Sequence, residues 1–105
     1  MFKTSPVVGY IRSARFGDPK LDEWDVQVRA YAAKRGYNLA AVFREEGVSA
    51  VAAHRPVLAQ LFDDLQATRY VGLIVPTRAH LGDTNAMINR ALSRISSSAW
   101  IEFID

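Results

Sequence analysis

The sequence predicts an α/β domain built on a parallel sheet. Three observations carry that prediction. Short β-branched and aromatic runs alternate with stretches whose apolar residues recur every three or four positions, in the order strand, helix, strand, helix, strand, helix, strand. Val71 to Val75 is a continuous apolar run stopped by Pro76, the pattern of a strand buried on both faces. No internal repeat or linker-like stretch divides the 105 residues, which is the length of one ordinary domain. The expected architecture is a single domain with a mainly parallel, four- or five-stranded sheet flanked by helices.

The first strand is read from Pro6 to Ser13, followed by a loop, Ala14 to Pro19, rich in turn formers. From Leu21 the positions Leu21, Trp24, Val28, Tyr31 and Ala32 fall on one face of a helix that stops at Gly36. Leu39 to Phe43 makes a second strand, and Arg44 to His54 a loop long enough to imply a function. Pro56 suits the first turn of a second helix, with Leu58, Leu61, Phe62 and Leu65 inward and Asp63 and Asp64 outward. After the third strand, Asp83 or Thr84 can cap a third helix that turns Met87, Ile88, Ala91, Leu92 and Ile95 inward, and Ala99 to Ile104 forms the last strand.

Composition excludes several classes. Half the residues are hydrophobic and 23% are charged, the balance of a folding chain rather than a disordered one. The absence of cysteine removes disulfide scaffolds, thiolate metal sites and cysteine nucleophiles. His54 and His80 lack neighbouring ligands at metal spacing, so no metal is expected. Gly9 stands alone, without a dinucleotide or phosphate-loop glycine pattern, so no cofactor is expected either. With no apolar run near the ~20 residues of a membrane span and no signal-peptide pattern, a cytoplasmic protein is expected. A net charge of +2 is too small to argue for nucleic acid, so the placement of charges must decide.

In open parallel sheets ligands bind beyond the carboxyl ends of the strands. There the sequence places Arg12 and Arg15, then Arg44 and Arg55, then Arg78 and His80, a basic rim opposed by Glu45, Glu46 and Asp83. An anion site and a set of merely solvated or paired arginines are both compatible with that rim.

The motifs along the chain resemble the catalytic domain of serine recombinases, the resolvase and invertase family. Gly9-Tyr10-Ile11-Arg12-Ser13-Ala14 is similar to Tyr-x-Arg-Val-Ser, and Gln27-Val28-Arg29-Ala30 to the first-helix Gln-x-Arg-x. Phe43 to Ala50 followed by Arg55-Pro56-Val57-Leu58 resembles Phe-x-Asp-Glu-Gly-x-Ser-Gly and Arg-Pro-x-Leu. Val75 to Asp83 is similar to Val-Pro-Ser-x-Asp-Arg-Leu-Gly-Arg, and Phe103-Ile104-Asp105 to a Phe-x-Asp on the last strand.

The resemblance implies attack of a serine hydroxyl on a DNA phosphodiester, with arginines neutralising the charge that grows on the phosphate oxygens. Arg12, Ser49 and Arg55 match that set. The nucleophile falls on Ala14, however, the two arginines of the Asp-Arg-Leu-x-Arg segment fall on His80 and Asp83, and its aspartate falls on Ala79. Ser13 is not expected to substitute, because successive strand residues face opposite ways and Arg12 shares its side with Ala14. The family's last strand leads into a long dimerisation helix and a DNA-binding domain, and residues 1–105 are expected to lack both.

A catalytically inactive, resolvase-like protein-interaction or regulatory module is therefore expected. The alternatives are a DNA-associated accessory retaining phosphate affinity through Arg12, Ser49, Arg55 and Arg78, and an active recombinase fragment. A protein partner or self-association is expected beside the third helix and last strand, with Met87 and Trp100 as surface candidates.

Overall fold

The computed structural model describes residues 5–48 and 55–105. The elements follow in the expected order: β1 (Pro6–Ser13), α1 (Pro19–Arg35), β2 (Asn38–Glu46), α2 (Pro56–Gln66), β3 (Gly72–Val75), a 3₁₀ turn (Arg78–His80), α3 (Asn85–Ser96) and β4 (Trp100–Phe103). The four strands are all parallel, in the order β2-β1-β3-β4.

Alternation along the strands divides the core in two. Val8, Tyr10, Leu73 and Val75 face α2 and α3, packing on Leu58, Leu61, Leu65 and Ile95. Val7, Ile11 and Ile74 face α1, packing on Leu21, Val28 and Ala32. All of β3 is buried, as its unbroken apolar run requires. Gly9 lets α1 lie close to the sheet, since a Cβ there would stand 2.6 Å from Val28 Cγ1.

Several expectations shift. The first helix begins at Pro19 rather than Leu21, because Asp18 is its N-cap and accepts from Lys20 N at 3.0 Å. The second strand runs to Glu46 rather than Phe43, since β1 continues to pair alongside it, matching Arg12 with Glu45 and Ser13 with Glu46. Asp64 is buried rather than outward, held by Gln60 Nε2 at 3.0 Å and Arg69 Nη1 at 3.3 Å. On α3, Ala91 and Ile95 are buried while Met87, Ile88 and Leu92 are half-buried, and Thr84 provides the cap, accepting from Met87 N at 3.2 Å.

Candidate functional site

The carboxyl ends of β1, β2 and β3 bring Arg12, Glu45, Arg55 and His80 together. Tyr10 and Arg12 alternate on the α2 side of β1, and Glu45 lies beside Arg12 in register on β2. Glu45, 1% exposed, accepts from Tyr10 Oη at 2.6 Å, Val57 N at 2.8 Å and Leu58 N at 3.2 Å. A buried carboxylate thus satisfies orphan N–H groups in the first turn of α2, where the helix dipole also favours negative charge. Burial, and next the hydrogen bond to Glu45, push the Tyr10 phenol far up, so it stays a neutral donor.

Arg12 reaches across the strand ends. Its Nη1 donates to the Val48 carbonyl at 2.9 Å and its Nη2 to the Ala79 carbonyl at 3.2 Å, while Nε is buried without a partner among the described residues. Burial, and then the charge of Arg55, lower the pKa of this guanidinium. Arg55 is buried as well and donates from Nη1 to the His80 carbonyl at 3.0 Å. Ser49 lies outside the described residues.

His80 does not sit on the rim as the sequence reading placed it. It is 3% exposed, because the 3₁₀ turn after β3 directs the ring inward against Trp24 of α1, edge to face with centroids 4.4 Å apart. Its Nδ1 accepts the Arg12 backbone N–H at 2.9 Å and so carries no proton, which assigns the remaining ring proton to Nε2. Desolvation, and then the Arg12 charge, hold its pKa down to about 4. At neutral pH the ring supplies no positive charge.

The other rim residues divide into paired and open. Arg44 bonds Asp22 at 2.9 Å and Asp25 at 3.1 Å on α1. Arg78 is exposed and lies over the Phe103 ring, 4.7 Å from its centroid. Asp83 is exposed, and its charge is felt at Arg12. Ala14 is exposed at the end of β1. Ser13 is buried and turned to the α1 side, where its hydroxyl donates to Asp18 Oδ2 at 2.7 Å and accepts from Arg15 N at 3.1 Å. Met87 is half-buried against Gly82, and Trp100, 39% exposed, lays its ring over Gly72 and tilts against Tyr37 with centroids 5.2 Å apart.

Sequence reasoning missed the buried roles of Glu45 and His80. Nothing local marks a carboxylate whose partners stand 35 and 12 residues away. The Asp18 cap was findable, because Asp-Pro ahead of an apolar periodic run is a helix-start signal.

A four-stranded parallel sheet with one helix on one face and two on the other, and with Arg12 and Arg55 close together at its carboxyl edge, defines the class of the protein as a parallel α/β domain. Residues 7–104 match the family described as "Resolvase, N terminal domain", and the chain belongs to that family. No curated protein matches it.

Among solved structures it is similar to the C-terminal catalytic domain of ISC1926 TnpA, an IS607-like serine recombinase, with 18% identity and a TM-score of 0.85 over 95% of this chain and 67% of that one. The N-terminal catalytic domain of TP901-1 integrase has 20% identity and a TM-score of 0.81 over 95% of this chain and 75% of its own. A resolvase family site-specific recombinase from Streptococcus pneumoniae has 13% identity and a TM-score of 0.77 over 96% and 71%. By family and fold the chain is a serine-recombinase-like catalytic domain. Among the described residues, no helix is long and apolar enough to cross a membrane.

Proposed function

We propose that this domain does not cleave DNA and works by binding, as an interaction or regulatory module. The observation that carries the reading is the state of the β1 terminus. The residue at the nucleophile position is Ala14, and the adjacent hydroxyl of Ser13 is committed to Asp18 on the opposite face. The electrostatics agree with this: a neutral, buried His80 and an acidic Asp83 occupy positions where the family places arginines. Loss of a single oxyanion donor typically costs ~10²–10³ in rate, and here the nucleophile is missing as well. Supercoiled plasmid incubated with the protein is expected to remain supercoiled, and nicking or relaxation that scales with protein concentration would overturn the reading.

A second reading, a DNA-associated accessory, is favoured by Arg15, Lys20 and Arg78, which are exposed and form no ion pair among the described residues. Phosphate contacts release counterions, so DNA binding through these cations must weaken steeply with salt. Pull-down with and without nuclease separates this reading from a protein partner.

A further inference from the structure

The loop between β1 and α1 is braced on every side. Ser13 Oγ bonds Asp18 and Arg15 N, Asp18 caps α1, and Gly17 N donates to Glu46 Oε1 at 3.0 Å. The loop is therefore held in one shape, and it presents Phe16, which at 82% exposure is the most exposed large hydrophobic residue among those described.

One edge of the Phe16 ring lies against Gly47, where any Cβ would collide with it and where φ is +71°, a conformation that favours glycine. The rest of the ring faces solvent. Arg15 and Lys20 beside it are exposed and enter no ion pair among the described residues, although both feel the charge of Asp18, and the nearby carboxylates are hydrogen-bonded inside the loop: Asp18 by Ser13 and Lys20 N, Glu46 by Gly17 N. The hydrogen bond from Ser13, followed by that from Lys20 N, holds the Asp18 carboxyl below its usual range, so it remains a charged brace.

We propose that Phe16 is a stacking platform for an unpaired nucleobase, and that the partner of this domain is a nucleic acid strand that is locally single. The inference rests on the second reading, a DNA-associated accessory, and names the form of nucleic acid it takes. An exposed aromatic on a braced loop, flanked by two exposed cations, matches what a base and its phosphate need: one ring face to stack on and positive charge for the backbone. A protein pocket would call instead for an apolar surround that excludes water. The other exposed large hydrophobics, Val26 and Trp100, lie on α1 and β4 rather than in this loop. In an intact duplex both faces of each base are already covered, so the ring selects an unpaired one.

Fluorescence anisotropy of the full chain with a labelled single-stranded oligonucleotide of mixed sequence, and with its duplex, tests the proposal. The single strand is expected to bind more tightly than the duplex. Phe16→Ala is expected to weaken single-strand binding about tenfold with the thermal midpoint unchanged, because the ring contributes little to the core. Phe16→Trp is expected to preserve binding, and its indole fluorescence to be quenched as the strand is added. Equal binding of both forms, equal loss on duplex and single strand, or no loss in Phe16→Ala overturns it. Absence of all binding by the unaltered chain also overturns it while leaving the non-cleaving reading intact, since plasmid nicking decides that reading separately.

Discussion

The backbone N–H of Arg12 donates to Nδ1 of His80 at 2.9 Å, so the first strand is tied to the turn after the third through a ring that must stay neutral. The same histidine passes the restraint on, because its carbonyl accepts from Arg55. Arg12, Arg55 and His80 are thus cross-braces between strand ends.

Stability should depend on pH through His80. Its folded pKa, about 4, lies below the ~6.5 of an unfolded histidine, so the unfolded chain takes up a proton first as pH falls. The contribution is fully present above about pH 6.5 and is lost progressively toward pH 4, reaching roughly 3 kcal/mol there. Urea unfolding at pH 7 and pH 4.5 checks this. His80→Gln is expected to be less stable at pH 7 but to show a shallower decline, and parallel declines in the two proteins would contradict the assignment.

Removing the Glu45 carboxylate should loosen α2. Glu45→Ala leaves the Tyr10 hydroxyl and two helix N–H groups without their acceptor, at a cost of about 2–4 kcal/mol. Glu45→Gln keeps one carbonyl oxygen and is expected to cost less. Denaturant midpoints measured with unchanged m-values would give the ordering, and equal losses would count against the capping role.

Much of the fold was legible because burial on both faces leaves a mark in sequence. The run of β3 and the three-or-four spacing on α1 and α2 need no distant information. The carboxyl ends of the strands were read less well for a physical reason. Glu45, His80 and Asp64 are polar residues whose burial depends on partners elsewhere in the chain, and polarity alone predicts exposure. β2 looked short for the same reason, since its last residues are charged and only pairing with Arg12 and Ser13 reveals them as strand. The arginine positions could be named from their motifs, whereas the inward turn of His80 could not.

Packing of α1 on the sheet predicts intolerance at Gly9. The stiff, β-branched Val28 does not retreat easily from a Cβ at 2.6 Å, which is the one contact there too close to be ordinary. Gly9→Ala is expected to destabilise by about 1–3 kcal/mol. Combining it with Val28→Ala should recover part of that loss, and a purely additive double variant would show that the close approach is not its cause.

The most direct test of the account is a search for covalent protein–DNA adducts, by denaturing electrophoresis after incubation with supercoiled DNA, for the unaltered chain and for Ala14→Ser. The account predicts no adduct in either. The unaltered chain has no hydroxyl at the position matching the family's nucleophile, and Ala14→Ser would still leave a neutral His80 and an acidic Asp83 at the positions matching the family's arginines. An adduct formed by the unaltered chain would contradict the non-cleaving reading outright. One formed only by Ala14→Ser would show that the alanine alone had silenced an otherwise competent site.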